Sequence, residues 1–320
     1  MDKILETIGL IGLVPVIKID NPAQAAPLAK ALADGGAPCA EITFRTAQAA
    51  EAIKNVRKAL PDILVGAGTV LTPAQADQAI EAGAQFIVSP GYNPKVVAHC
   101  RSRGILIVPG CATPSDMELA IEAGLEAVKF FPAEAAGGLP YLRAVAGPYP
   151  GLKFMPTGGI NPKNLGSYLS FEKVLACGGS WMVPGDMLAA GNFAGITALT
   201  REAILAVQGF EATHVGLNQA DEAEGRKTAA TFESLFGFPC RELSGSFMAG
   251  PGIEVMKRPF LGSNGHLAIA TNDVGRAKAY LERLGVALNP ETAKTDEKGR
   301  LKVIYLAGEI GGLAVHLVRR

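Results

Sequence analysis

The stretch AVKFFPAE, residues 127–134, sets one lysine in an otherwise apolar run that ends at Pro132. Its length and apolar character predict a short, buried strand. Similar apolar runs recur at fairly even spacing on both sides of it, and together they make eight. The other seven are VPVIKI from Val14, CAEITF from Cys39, ILVGAGT from Ile63, QFIVSP from Gln85, ILIVPG from Ile105, KFMPTGG from Lys153 and VLACGGS from Val174.

Alanine-rich amphipathic segments lie between these runs and predict helices. Several open with an N-cap residue followed by proline, and many close at a glycine such as Gly83, Gly104 or Gly124. The N-cap residues are Asn21, Thr72, Asn93, Thr113 and Asn161. Eight buried strands alternating with helices predict the α/β class and a closed (β/α)₈ TIM barrel. The alternative is an open doubly wound sheet, but VIKIDNP lacks the glycine-rich turn expected after its first strand.

Composition limits the classes of function. The chain has 320 residues, with 30 basic and 30 acidic side chains and no net charge, so no field exists to attract nucleic acid or an anionic membrane. Its expected partner is a small-molecule substrate. Residues 1–12 lack the pattern of a secretory signal, and the expected location is cytoplasmic. The five cysteines form no CxxC pair, and we expect all of them to be buried and reduced.

In barrel enzymes the active site lies at the carboxyl ends of the strands, so Lys129 is the first candidate for a catalytic residue. Burial among Val128, Phe130 and Phe131 favours the uncharged amine, which attacks a ketone to form a Schiff base. The alternative is a salt-bridged lysine at the strand end.

Strand two adds a second polar group. Period-two alternation points Glu41, Thr43 and Arg45 to one face of the strand. Glu41 can move protons, and the Arg45 guanidinium can take a substrate carboxylate bidentately. The alternative is a structural Glu/Arg pair within the strand.

Two glycine pairs, Gly158-Gly159 and Gly178-Gly179, end strands seven and eight. Phosphate-binding barrels hold their phosphate at these two strand ends, and Ser180 adds a hydroxyl there. Tight turns are the alternative reading, but their common position favours a phosphate site.

With these residues in view, the first two hundred or so positions closely resemble the 2-keto-3-deoxy-6-phosphogluconate aldolase family, also called the 2-keto-4-hydroxyglutarate aldolases. The matching stretches are VPVI from Val14, EITFRT from Glu41, VGAGTVL from Val65, SPG from Ser89, KFFPAE from Lys129, PTGGI from Pro156 and GGSWMVP from Gly178. The resemblance implies a class I lyase on a (β/α)₈ barrel that needs no metal or other cofactor and forms a homotrimer. It also implies cleavage of 2-keto-3-deoxy-6-phosphogluconate to pyruvate and glyceraldehyde 3-phosphate, with 4-hydroxy-2-oxoglutarate as a second substrate.

The resemblance also implies roles for individual residues. Lys129 resembles the Schiff-base lysine and Glu41 the general acid/base, while Arg45 and Thr69 resemble the holders of the pyruvyl carboxylate. Phe131 would flank the pyruvyl methyl group, and Pro90 and Pro109 would shape the mouth. The phosphate site would comprise Thr157, Gly158, Gly159, Gly178, Gly179 and Ser180.

A second domain is expected over residues 209–320, after a barrel domain of residues 1–208. This tail divides into two similar halves, each with a strand, a helix and several strands. The first runs from THVGLN to GIEVMKR and the second from GHLAIAT to LAVHLV. We therefore expect a smaller α+β domain of paired βαβββ modules, which resembles the vicinal oxygen chelate superfamily of glyoxalases and dioxygenases.

Four tail residues match the positions where that superfamily places metal ligands: His214, Glu254, His266 and His316. Such a set suits a divalent metal. The turn AGEIGG departs from the superfamily's usual pattern. Two alternatives for the tail stay open: a metal-dependent glyoxalase-type or dioxygenase-type activity, and a non-catalytic sensor or assembly module.

Overall fold

The computed structural model describes residues 1–320, and the chain divides into an N-terminal unit, Met1–Val207, and a C-terminal unit, Gln208–Arg320. None of the helices combines the length and apolar character needed to cross a bilayer.

The N-terminal unit alternates strands with helices. Its strands are β1 Leu13–Ile17, β2 Cys39–Thr43, β3 Leu64–Gly68, β4 Phe86–Val88, β5 Leu106–Val108, β6 Ala127–Val128, β7 Lys153–Phe154 and β8 Cys177–Gly179. Its helices are α1 Lys3–Ile11, α2 Ala25–Asp34, α3 Ala49–Ala59, α4 Pro73–Glu81, α5 Pro94–Ser102, α6 Pro114–Glu122, α7 Gly138–Ala146, α8 Leu165–Leu169, α9 Gly185–Ala189 and α10 Phe193–Gln208, with a short 3₁₀ helix at Pro22–Gln24.

All strand pairs in this unit are parallel. Six strands form one sheet in the order β5-β4-β3-β2-β1-β8, and β6 pairs with β7. Isolated parallel bridges connect the two groups, at Gly110–Lys129 on one side and at Phe154–Val174 and Thr157–Gly178 on the other. Because the strands are parallel, their carboxyl ends meet at one edge of the sheet, where the predicted site residues follow.

The predicted helix signals are largely confirmed. The side chains of Thr72, Asn93 and Thr113 cap α4, α5 and α6, each directly before a proline. The prediction for Asn161 is wrong, because α8 begins later, at Leu165. The Asn161 side chain instead accepts from Lys163 N at 2.9 Å and donates to Gly159 O at 3.1 Å, so it stabilises the turn after β7.

The C-terminal unit repeats one strand–helix–three-strand pattern twice. The first half comprises β9 Glu211–Leu217, α11 Glu222–Phe236, β10 Cys240–Glu242, β11 Ser246–Ala249 and β12 Ile253–Met256. The second comprises β13 His266–Thr271, α12 Val274–Arg283, β14 Leu288–Thr295, β15 Leu301–Ile310 and β16 Leu313–Arg319. One mixed sheet holds all eight strands in the order β10-β11-β12-β9-β13-β16-β15-β14, so the two first strands, β9 and β13, meet at its centre.

Each half of this unit has its own small core between helix and sheet. Ala229 of α11 packs with Phe247 and Val255, and Val274 and Ala277 of α12 pack with Ile304 and Leu317. Removing this apolar surface from water is the main force that holds each helix on the sheet.

All five cysteines are free thiols. Four are buried, but Cys240, at the edge strand β10, is only partly buried, so the expectation of full burial is wrong for that residue. An edge strand has no neighbour to cover its outer side.

Candidate functional site

A pocket of about 300 Å³ lies at the carboxyl ends of the parallel strands. It brings together the side chains and glycines that the sequence places at strand ends. Its lining comprises Val16, Glu41, Arg45, Thr69, Pro90, Lys129, Phe131, Thr157, Gly158, Gly159, Ile160, Gly178, Gly179 and Ser180. The predicted catalytic and substrate-binding residues of the N-terminal unit are therefore all in this pocket, and of the two prolines expected at its mouth only Pro90 lines it.

Lys129 lies one residue beyond β6, rather than within the strand as its sequence suggests. Its backbone is fixed on both sides: its N–H donates to Pro109 O and its carbonyl accepts from Cys111 N, each at 2.8 Å. The side chain is only 6% exposed, and its Nζ is 5.4 Å from the centroid of the Phe131 ring. The amine is thus held at the base of the pocket.

Glu41 is the partner of Lys129. Its Oε1 accepts from Lys129 Nζ at 3.2 Å, and the carboxylate is fully buried. Its second oxygen, Oε2, is buried without a hydrogen-bond partner in the protein. A Cβ at Gly68 would lie 2.2 Å from Glu41 Oε1, so only glycine leaves room for the carboxylate here. The free Oε2 lone pairs are available to a ligand or water, because a buried carboxylate oxygen needs a donor.

A cation and a strained threonine complete this side of the pocket. Arg45 follows β2, and its Nε donates to Thr43 Oγ1 at 3.3 Å, while Thr43 donates to Ile17 O. Thr69 is the one non-glycine residue with positive φ, at 57°. This conformation is costly for a β-branched residue, and such strain persists where the surroundings impose it, as they often do at functional sites.

The turn Gly158-Gly159 also lines the pocket. Its φ angles of 99° and 82° favour glycine. No backbone carbonyl accepts from either N–H. The carbonyls are used instead: Gly158 O accepts from Glu134 N at 3.0 Å, and Gly159 O from Asn161 and Asn164 at 3.1 Å each. Free N–H groups beside Ser180 are suited to an anion.

Two lining residues, Val16 and Ile160, have no chemical feature that sequence analysis could single out. Pro90 lines the pocket, whereas Pro109 contributes only its carbonyl to Lys129.

Another groove, of about 780 Å³, runs along α6 and the segment after α7, but lysine, histidine, serine and cysteine are absent from its lining.

A second polar cluster lies in the C-terminal unit. The metal-binding atoms of His214, His266 and His316 are all within 4.8 Å of one another, and Glu254 contacts two of them. The four residues come from β9, β12, β13 and β16, the four central strands of the sheet. The structure therefore brings together all four residues that the sequence singled out.

The spacing of three of the four residues, His214, His266 and Glu254, fits a metal ion. His214 Nε2 and His266 Nε2 are 3.4 Å apart, and Glu254 Oε2 is 3.2 Å and 3.1 Å from them. Ligands at tetrahedral corners around Zn²⁺, with bonds of about 2.0–2.1 Å, are separated by about 3.3–3.4 Å.

The protonation states of the cluster also fit metal binding. Hydrogen bonds from His214 and His266 hold the pKa of Glu254 well below its usual value, so it is a carboxylate. Burial, together with the neighbouring imidazoles, lowers the pKa of His316 to about 4, so its ring is neutral near pH 7. Both its ring nitrogens are buried without a partner. Neutral imidazole and carboxylate are the forms that bind metals.

Two further residues at the cluster carry no signal in the sequence. Ser246, buried in β11, donates to Glu254 Oε1 at 2.5 Å and leaves Oε2 to the histidines. The Tyr305 ring stacks on His316, with centroids 4.6 Å apart. They orient the two side chains that they contact.

Known proteins resemble the N-terminal unit. The family model for aldolases described as KDPG and KHG aldolase matches residues 4–199. The 2-dehydro-3-deoxy-phosphogluconate aldolase of Treponema pallidum is 50% identical over 204 residues, covering 64% of this chain and 97% of the relative. The KHG/KDPG aldolase of Escherichia coli K12 is 46% identical over 192 residues, covering 60% and 90%.

Solved structures of aldolases also resemble the N-terminal unit. A KDPG aldolase from Legionella pneumophila, with pyruvate captured as a covalent carbinolamine intermediate, is 40% identical with a TM-score of 0.60, over 62% of this chain and 96% of that chain. The 2-keto-3-deoxy-6-phosphogluconate aldolase of Zymomonas mobilis with 3-phosphoglycerate is 41% identical with a TM-score of 0.58, over 62% and 94%. The family match ends at residue 199, before the C-terminal unit begins.

Proposed function

This chain belongs to the KDPG and KHG aldolase family and is a carbon–carbon lyase, and we propose that it cleaves 2-keto-3-deoxy-6-phosphogluconate to pyruvate and glyceraldehyde 3-phosphate. The observation that carries this proposal is the buried pair Lys129–Glu41, which lines the same pocket as a turn with free N–H groups. We also infer that the eight strands close into a (β/α)₈ barrel. The pairing of β1 with β8 and the three isolated bridges support closure.

The first stage joins the substrate to the enzyme. Glu41 accepts a proton from the amine of Lys129, and the neutral nitrogen attacks the keto carbon at C2 to form a carbinolamine. Glu41 then returns the proton to the carbinolamine hydroxyl, water leaves, and an iminium remains. The 3.2 Å contact between Nζ and Oε1 suits this exchange, and the unpartnered Oε2 can hold the water.

The second stage breaks the carbon–carbon bond. The C4 hydroxyl gives its proton to the Glu41 carboxylate, and its electrons form the aldehyde carbonyl. The C3–C4 bond electrons form the C2–C3 double bond, and the iminium π electrons move to the nitrogen. Glyceraldehyde 3-phosphate leaves and an enamine remains. Glu41 returns this proton to C3, and addition of water to the resulting iminium carbon releases pyruvate and free Lys129.

The other pocket residues bind the two ends of the substrate. Arg45 and Thr69, on the side of Glu41, hold the carboxylate, and Phe131 packs against the pyruvyl methyl group. The Gly158-Gly159 turn receives the phosphate, together with Thr157, Gly178, Gly179 and Ser180. This places the scissile bond between two anion sites.

Pyruvate formation from 2-keto-3-deoxy-6-phosphogluconate tests the assignment. Purified enzyme should release pyruvate and glyceraldehyde 3-phosphate in equal amounts. Release of neither product would refute the proposal. The same assay with 4-hydroxy-2-oxoglutarate tests the proposed second activity, which yields pyruvate and glyoxylate. We further propose a homotrimeric assembly, as the family resemblance implies, and a cytoplasmic location.

For the C-terminal unit, we propose a divalent-metal site made of His214, Glu254, His266 and His316. The ligand spacing and the orphaned nitrogens of His316 support it. Paired βαβββ modules that meet at β9 and β13 support a vicinal oxygen chelate type of domain. A metal bound there would supply Lewis-acid chemistry to a small ligand. A glyoxalase-type or dioxygenase-type activity and a non-catalytic sensor or assembly role are the alternative uses of this unit.

Metal analysis of the intact protein, together with Zn²⁺ titration of EDTA-treated protein, tests this site. We expect one ion per chain, with binding abolished by His266→Ala. Binding that survives His266→Ala would contradict the proposed ligand set.

A further inference from the structure

Outside the pocket lining, Glu134 contacts the turn that we assign to the phosphate, and Tyr168 contacts Glu134. Glu134 follows Lys129 by five residues, and Tyr168 lies in α8. The Tyr168 hydroxyl donates a short hydrogen bond to Glu134 Oε1. Tyr168 is 1% exposed, and burial together with this carboxylate raises the pKa of its phenol, which stays protonated as the donor.

Glu134 also holds the turn through its backbone. Its N–H donates to Gly158 O at 3.0 Å, and the preceding Ala133 N–H donates to Thr157 O at 2.8 Å. The segment that follows Lys129 is thereby fixed to the segment that follows β7. These bonds use the carbonyls of the turn and leave its N–H groups free.

The Glu134 side chain packs directly on Gly159. A Cβ on Gly159 would lie 2.5 Å from Glu134 Cγ and 2.7 Å from Glu134 Cβ. Position 159 thus leaves no room for a Cβ, and the Glu134 side chain contacts both Gly159 and the Tyr168 hydroxyl.

We propose that Glu134 and Tyr168 are positioning residues that hold the Gly158-Gly159 turn in the conformation that receives the substrate phosphate. This inference deepens the proposed function and rests on it. The negative charge of Glu134 beside an anion site would by itself weaken phosphate binding. Any favourable effect of Glu134 on phosphate binding must therefore come from the turn geometry that its hydrogen bond to Tyr168 maintains.

Tyr168→Phe tests the inference, because it removes only the hydroxyl and keeps the ring. We expect the KM for 2-keto-3-deoxy-6-phosphogluconate to rise about tenfold, the scale of a lost hydrogen bond to a charged group. The inhibition constant of inorganic phosphate should rise by a similar factor. The pyruvate concentration that gives half-maximal inactivation by borohydride should change less than about twofold, since pyruvate lacks a phosphate.

Two variants at Glu134 separate geometry from charge. Glu134→Ala removes the acceptor and should match Tyr168→Phe, whereas Glu134→Gln keeps an acceptor oxygen and should stay within about threefold of the wild type. Tyr149→Phe is the matched control, because it removes a tyrosine–glutamate contact, to Glu118 at 3.2 Å, in the other groove.

Several outcomes would overturn the inference. Equal changes for the phosphorylated substrate and for pyruvate would indicate a general structural role, and a lower KM in Glu134→Gln would indicate charge repulsion alone. A KM within twofold of the wild type in both Tyr168→Phe and Glu134→Ala would remove the inference. Failure of the wild type to cleave the phosphorylated substrate would instead refute the proposed function. If Tyr168→Phe melts early, Glu134→Ala, at an exposed residue, answers the same question.

Discussion

The two polar clusters of this molecule differ in how their buried polar atoms are paired. In the N-terminal unit, Lys129 donates a hydrogen bond to one oxygen of Glu41, and the other carboxylate oxygen has no hydrogen-bond partner in the protein. In the C-terminal unit, four acceptor-rich side chains converge, and three buried histidine nitrogens lack partners. A buried amine next to a carboxylate can exchange a proton and attack a carbonyl, whereas converging lone pairs need a cation. The contrast predicts covalent chemistry in one unit and coordination in the other.

Replacement of Lys129 should give the largest effect. Lys129→Ala removes the proposed nucleophile, so kcat for cleavage should fall by on the order of a thousandfold or more. The metal content of the protein should not change, because Lys129 belongs to the other cluster. Lys30→Ala, at an exposed lysine paired with Asp34, serves as the control and should cleave normally. Near-normal turnover by Lys129→Ala would contradict the assignment of covalent chemistry to the N-terminal cluster.

Arg45→Ala should act on binding more than on bond cleavage. Loss of a charge-assisted hydrogen bond to the carboxylate costs about 1.5–3 kcal/mol, or roughly tenfold to a hundredfold in affinity. We therefore expect a higher half-saturating pyruvate concentration in borohydride trapping, with a smaller change in the maximal rate. A fall in the maximal rate alone would assign Arg45 a different role.

Ser246→Ala should weaken only the C-terminal cluster. Without the Ser246 hydroxyl, Glu254 loses the bond that orients its second oxygen, and changes of this kind typically cost about tenfold or more in metal affinity. Zn²⁺ titration measures the effect. Ser263→Ala is the control, since Ser263 donates to Glu309 on an exposed surface of the same unit. Equal Zn²⁺ affinity in Ser246→Ala and wild type would argue against the assigned ligand orientation.

EDTA should give the smallest effect on cleavage. The proposed aldol mechanism uses no metal, so kcat/KM should change less than about twofold after metal removal. The same treatment should lower the melting temperature, because a ligand that binds only the folded state stabilises it. Loss of cleavage in EDTA that returned with added Zn²⁺ would contradict the separation of the two chemistries.

The strand ends were predictable because polar residues are expensive in buried strands. Lys129, Glu41 and the two glycine pairs stand out against apolar runs, and all line one pocket. The histidines of the C-terminal unit stand out because the repeated halves resemble the vicinal oxygen chelate superfamily, which places metal ligands at these strand positions. A local pattern carries the information at the strand ends, and the resemblance carries it for the histidines.

Other features depend on contacts between distant segments. The partner of Lys129 lies 88 residues away, and beyond the end of β6 at Val128 the Lys129 backbone still forms a parallel bridge with Gly110 through its bonds to Pro109 and Cys111. The positive φ of Thr69 and the roles of Ser246, Tyr168 and Tyr305 have no local signature. Asn161 precedes a proline as a capping residue would, yet its side chain stabilises the turn at Gly159. Such details follow from tertiary hydrogen bonds.

The central claim is a covalent bond between Lys129 and a 2-oxo acid. Reduction of the enzyme with borohydride in the presence of pyruvate, followed by peptide mass spectrometry, tests it most directly. We predict a single three-carbon adduct, located on Lys129. An adduct on another lysine, or no adduct at all, would contradict the account.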